Sequence, residues 1–351
     1  MQLEVIMAQY VHKEHVENDI NTTKLSLQEK VFPFLYRYGT LLVILLTVIG
    51  FSLANDKFLS YQNFTDILRS VSIITLLAIG VTISLIVGGF DLSVGSTASL
   101  ATVTSAAALV LYRQETIIAI LIPIAIGLLV GLLNSFFVVK VRLPDLLATL
   151  AVMYIINGLH LTFTKGFSIY NNMPLSEGGT APGVFLPSFL FIGQGEIWSV
   201  PVPVIIMLIA VIVVHIILQQ TRFGRLLYIT GGNEEAARLS GVPVQRYKMY
   251  AYLLSAFFAT LAGILLAARI GTGQVSAGAP LLMDGVAAAF IGFSVFGAGK
   301  PNVIGTFVGA VLIGILLNGL TMLNVPYYAQ DIVKGSILIG ALAFMYYEKK
   351  K

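Results

Sequence analysis

Cysteine is absent from the 351 residues. That removes a disulfide framework, a thiolate zinc site and a cysteine nucleophile together. Charge is nearly as scarce: Asp, Glu, Lys and Arg make up 11% of the chain, where a soluble domain carries about 25%. So few charges cannot cover a water-facing surface. There are four histidines, of which His12 and His15 stand three apart on a polar stretch. Two histidines on an exposed tail bind metal weakly at best, and no metal role is expected. In excess are apolar residues, at 57% with a mean hydropathy of +0.89. Lipid is therefore the expected solvent, and disordered, collagenous and coiled-coil classes are excluded. The 33 glycines then point to close helix packing rather than to loops.

A helix needs about 20 mostly apolar residues to cross the hydrocarbon. About ten candidates lie near 38–54, 71–89, 94–112, 117–139, 146–163, 199–219, 249–268, 284–298, 303–323 and 329–347. Their apolar runs are continuous rather than alternating, which speaks against membrane strands. The expectation is an all-α polytopic membrane protein of about 10 transmembrane helices. With both ends placed in the cytoplasm, 15 of the 21 Lys and Arg fall inside and 6 outside, as the positive-inside rule prefers. Residues 1–37 read as a cytoplasmic tail with no apolar core long enough for a signal peptide. Residues 38–347 read as one transmembrane domain, and 348–351 as a basic cytoplasmic tail. The net charge of +4 requires no nucleic acid, because the excess sits where anionic membrane lipid would hold it. The outside segment 164–198 is long and glycine-rich, and could cover an external opening or meet an external protein.

The inside segment 220–248 contains a short helix with defined ends. Asn233 is a good N-cap, because its side-chain oxygen can accept an orphan amide of the first turn. Glu234 and Glu235 follow at the positive end of the helix dipole. Arg238 stands four residues after Glu234, in the favourable order for a pair. Gly241 is the expected stop and Pro243 blocks continuation. Two turns are marginal in water by themselves. On physics alone a partner surface and the protein's own spans are equal candidates for holding them.

The stretch Gly231-Gly232-Asn233-Glu234-Glu235-Ala236-Ala237-Arg238-Leu239-Ser240-Gly241 resembles the cytoplasmic coupling loop of ATP-binding-cassette importer permeases, in its Gly-x-Asn-x-x-Ala-Ala-x-x-Ser-Gly form. Gly88 to Ser96 (GGFDLSVGS), Met283 to Ala310, and the later LLNGL and QDIVKG are similar to the same ribose-type and branched-chain-amino-acid-type family, over about residues 40–347. Phe293 departs from the pattern, standing where many relatives have a second glycine. The resemblance implies a permease subunit of the bacterial cytoplasmic (inner) membrane that carries a monosaccharide. It implies a second permease copy, identical or paralogous, a cytoplasmic ATPase holding ATP and Mg, and an extracytoplasmic sugar-binding protein. Gly232, Asn233, Glu234, Glu235, Ala236, Ala237, Arg238, Ser240 and Gly241 would then couple to the ATPase. Branched-chain amino acid, nucleoside or furanone-signal cargo belongs to the same family. A stand-alone gradient-driven transporter is the competing class.

No enzyme is expected on this chain, and no bound cofactor. At Gly299-Lys300 a phosphate-cradling loop lacks its upstream glycine, replaced by Ser294, and its hydroxyl residue, replaced by Pro301. Gly271 to Gly278 is a poor dinucleotide fingerprint, with Ser276 in the third glycine position. Among polar residues at membrane depth, Asp91 near Ser93 reads as the N-cap of the third span close to the cytoplasmic interface, with a gate segment as the competing reading. Asn134, Asn157 and Asn318 are expected to hydrogen-bond between helices. Asn157, with Tyr154 and His160 about a turn to either side, is the pathway-lining candidate, against ordinary packing. Finally, 126–137 (IGLLVGLLNSFF) resembles 309–320 (GAVLIGILLNGL), and the two copies start on opposite sides, as an inverted internal repeat requires.

Overall fold

A computed structural model describes residues 27–175, 178–295 and 299–348. His12, His15, most of the expected N-terminal tail and the basic residues 349–351 lie outside them. The described chain runs through α1 (Leu27–Ala54), α2 (Tyr61–Ile86), α3 (Val94–Ala106), α4 (Thr116–Ser135), α5 (Asp145–Thr164), α6 (Pro187–Gln194), α7 (Val202–Gln220), α8 (Arg222–Gly232), α9 (Glu234–Leu239), α10 (Val244–Ile270), α11 (Gly278–Ser294), α12 (Val303–Met322) and α13 (Tyr327–Glu348). α3 continues into a wider π turn, Ala107–Leu111, and α4 into another, Phe136–Lys140. A two-residue hairpin, β1 (Glu196–Ile197) and β2 (Val200–Pro201), precedes α7.

Among the described residues, seven helices are long and apolar enough to cross a bilayer: α2, α3, α4, α5, α7, α10 and α12, with α3 and α4 counted through their π turns. Tyr38–Ala54 and Gly278–Phe293 are apolar but shorter. α11 begins six residues before its expected position at 284. Gly278 and Pro280 look like loop residues, but a proline in the first turn forfeits no helical hydrogen bond.

The polar side chains are on the inside. Ser72, Thr75, Thr82 and Ser84 of α2 are fully buried, while Leu208, Ile209, Ile212, Val213 and Ile216 of α7 are exposed. That is the reverse of a soluble bundle, and it suits helices whose outer faces meet lipid. Thr82 and Thr306 bond through their hydroxyls at 2.6 Å, joining α2 to α12. Asn318 Nδ2 donates to Asn63 Oδ1 at 2.8 Å, joining the far ends of the same two helices.

α2 and α10 pack against each other at the centre. α10 also packs on α3 and α4, and α2 packs on α11 and α12. α3 lies against α4 and α5, as α11 lies against α12 and α13. The four helices from α2 to α5 thus have the same neighbour pattern as the four from α10 to α13.

Candidate functional site

The turn between α2 and α3 is built from Gly88-Gly89-Phe90-Asp91-Leu92-Ser93. Asp91 is fully buried. Its Oδ1 accepts from the Ser93 amide at 2.9 Å and the Ser93 hydroxyl at 2.7 Å. Its Oδ2 accepts from Ser255 Oγ of α10 at 2.8 Å. Asn134 of α4 donates to Ser93 Oγ at 2.7 Å. Thr149 of α5 accepts from the Leu92 amide at 3.1 Å. Three further helices, α4, α5 and α10, therefore meet the turn that joins α2 to α3. Ser93, not Asp91, is the residue from which α3 starts; Asp91 closes the turn two residues earlier. It lies level with Ser255, about 16 Å from the start of α10 at 1.5 Å per residue.

A second turn of the same kind leads into α11. Gly271, Ser276 and Gly278 hold the positions of Gly88, Ser93 and Gly95, with Gln274 in place of Asp91. It too is fixed by other elements. Ile169 exchanges two backbone hydrogen bonds with Gly273, at 3.0 and 2.8 Å. Thr102 donates to the Gln274 carbonyl at 2.8 Å, and His160 Nε2 meets the Val275 carbonyl at 2.9 Å. Ser99 Oγ accepts from the Gly278 amide at 2.8 Å. The two turns deliver α3 and α11 to a mutual crossing at Gly95 and Gly278. There a Cβ on Gly278 would overlap the Gly95 carbonyl oxygen, so both positions need glycine for the backbones to approach.

The short helix expected after Gly232 is α9. Asn233 Oδ1 accepts from the Ala236 amide at 2.9 Å, and Gly241 terminates it at φ +80°. Ala237 is buried, and Leu239 is 80% exposed, leaving an apolar tip on a polar element. The expected Glu234–Arg238 pair does not form. Arg238 instead reaches Glu235 at 2.7 Å, and Lys248 of α10 takes Glu234 at 2.7 Å. The neighbouring lysine is the better partner because α10 folds back beside the helix start. α9 thus hangs from its own chain by Ala237 and one ion pair, with the rest of its surface outward. Behind it, Tyr228 of α8 donates to the Pro301 carbonyl at 2.8 Å, and burial pushes its phenol up to about 12.

Tyr154, Asn157 and His160 do not converge. Tyr154 is 67% exposed and His160 is buried, the latter serving the turn before α11. What sequence reasoning missed is an ion pair between α11 and α13: Lys334 Nζ lies 2.9 Å from Asp284 Oδ1, both side chains largely buried. Opposite charges on two apolar segments were its only signal. Among the described residues there is no cluster of His, Asp and Glu fit for a metal ion.

A family model described as "Branched-chain amino acid transport system / permease component" matches residues 63–342. The chain belongs to this permease family. It is 33% identical to a ribose import permease of Bacillus subtilis (strain 168), over 92% of this chain and 98% of the relative. It is 35% identical to a ribose import permease of Haemophilus influenzae, over 88% and 93%. It is 31% identical to a galactose/methyl galactoside import permease of Escherichia coli (strain K12), over 93% and 99%. No solved structure matches. The chain is accordingly a ribose-type importer permease, a multi-pass protein of the bacterial inner membrane.

Proposed function

We propose that this chain is the membrane-spanning subunit of an ATP-driven monosaccharide importer and that α9 is the element through which a separate ATPase acts on it. The reading is carried by α9 itself: a capped helix of six residues, anchored by Ala237 and Lys248, with Glu235, Arg238 and Leu239 all facing outward. So short a helix has little stability of its own, and its exposed Leu239 suits a partner's groove. Relatives named for ribose, xylose and galactose support a simple sugar as cargo.

On this reading the ends carrying α8 and α9 face the cytoplasm, ten helices span, and both termini lie inside. Two copies enclose the path, and a receptor outside the membrane delivers the sugar. The matched neighbour patterns of α2–α5 and α10–α13 support an inverted repeat whose two deep turns lie near its axis. ATP and Mg belong to the partner. Sugar passes as the spans rock between outward- and inward-facing states, and the partner supplies the differential contacts that shift this equilibrium.

Co-purification and uptake test this. Reversing charge at Glu234→Lys with Arg238→Glu, or placing Asp at Leu239, should release the ATPase and abolish uptake. Intact association and uptake in all of these would overturn the docking role. Sugar transport by the lone chain in liposomes, driven by a proton or sodium gradient, would overturn the ATP-driven reading.

A further inference from the structure

The proposed coupling uses one end of the molecule and leaves unexplained a cleft between α11 and α13, mostly apolar in its lining but carrying charged groups on its α13 side. Pro280 and Met283 of α11 face Tyr327, Gln330, Asp331 and Lys334 of α13 across a cavity of about 550 Å³, a size suited to small-molecule sites. Lys334 Nζ lies 2.9 Å from Asp284 Oδ1 and 3.6 Å from Asp331 Oδ1. The Asp284 and Lys334 side chains are 5% and 13% exposed, whereas that of Asp331 is 71% exposed. An ammonium has three donors; this one is ion-paired to Asp284, while Asp331 stands beyond hydrogen-bond distance, so donors remain for a ligand. Gln330 is fixed at the rim, its Nε2 donating to the Val325 carbonyl at 3.0 Å. Tyr327 is 80% exposed beside it.

A carboxylate this open on an otherwise apolar helix belongs against water or a polar ligand, not lipid. Two carboxylates and one ammonium leave the cluster with a net negative charge, which disfavours an anionic ligand. The groups on offer are an acceptor for paired hydroxyls, a positioned donor and an aromatic face.

We infer that this cleft is a subsite for a neutral polyol on the transport path. Asp331 accepts from neighbouring hydroxyls, Lys334 donates to a sugar oxygen while Asp284 holds it in place, and Tyr327 covers a C–H face. The inference rests on the sugar-importer reading and gives that reading its contact residues.

The test uses proteoliposomes of the complete importer, with its ATPase and receptor, and radiolabelled D-ribose, D-xylose and D-galactose. Asp331→Asn should lower uptake of the transported sugar by roughly tenfold, as losing a charged hydrogen bond does, and Tyr327→Ala should lower it as well. Exchanging the pair, Asp284→Lys with Lys334→Asp, separates binding from packing. It restores the ion pair, so it should rescue assembly yet leave uptake low, because a carboxylate now stands where the donor was. Uptake within twofold of wild type in both Asp331→Asn and the exchange would overturn the subsite and leave the importer reading standing. A wild-type complex that hydrolyses ATP but moves none of the three sugars would overturn the importer reading, and the subsite with it.

Discussion

Alanine at position 278 is the most direct test of how closely α3 and α11 cross. Its methyl would overlap the Gly95 carbonyl oxygen and stand 2.9 Å from Ser99 Oγ. Neither obstacle can swing aside: one is backbone, and the other already accepts the Gly278 amide at 2.8 Å. An extra methyl in a packed core costs about 1–3 kcal/mol, and here two backbones must part, so about 3 kcal/mol is expected. Weakening the amide–hydroxyl bond adds about 1 kcal/mol. Gly50→Ala is the control, since a Cβ there meets nothing within 4 Å, and alanine favours a helix by about 1 kcal/mol over glycine. Thermal denaturation of the detergent-solubilised chain, followed by size-exclusion chromatography, should place Gly278→Ala about 10 °C below wild type, at a few degrees per kcal/mol. Gly50→Ala should match or exceed wild type. If the two variants melt together, the helices do not cross at these glycines.

Asn233→Ala removes the cap of α9 and should cost about 1 kcal/mol, read as faster amide exchange at Ala236 and Ala237, with Asn233→Asp restoring protection. Asn318→Leu should destabilise by about 1–3 kcal/mol by leaving Asn63 Oδ1 without its donor, measured as a lower melting temperature, while Asn318→Gln should recover part of the loss. Burial raises the Tyr228 phenol to about 12 from the usual 10.0. Its contribution to stability is therefore present below pH 10 and lost as pH rises towards 12. The tyrosinate absorbance of wild type minus Tyr228→Phe should accordingly show one phenol ionising late. A difference spectrum with a midpoint at 10 would refute its burial.

Seven of the ten expected spans, and α9, were legible because their signals are local. Continuous apolar runs announce a membrane helix wherever they occur, and Asn233 and Gly241 define the ends of α9 by contacts no more than three or four residues away. Asp284 and Lys334 were illegible for the opposite reason: fifty residues separate them, and only the packing of α11 on α13 makes them partners. Spacing put Tyr154, Asn157 and His160 near one another on α5, but could not say that His160 turns inward to the Val275 carbonyl while Tyr154 faces out. The stretch 271–278, tested against a dinucleotide motif and rejected, gained meaning only beside 88–95, whose glycine and serine positions it shares and whose α3 it meets through α11. Glu234 found Lys248 rather than Arg238 because a neighbouring helix outcompeted a same-helix pair.

α8 approaches the end of α2 so closely that a side chain on Gly231 would strike the Ile86 carbonyl oxygen, while its Tyr228 grips the Pro301 carbonyl ahead of α12. α8 works like a crank with two rods attached. On the proposed docking at α9, a push there would be passed by α8 both to the turn that feeds α3 and to the segment that feeds α12, so the two halves of the bundle would answer it together.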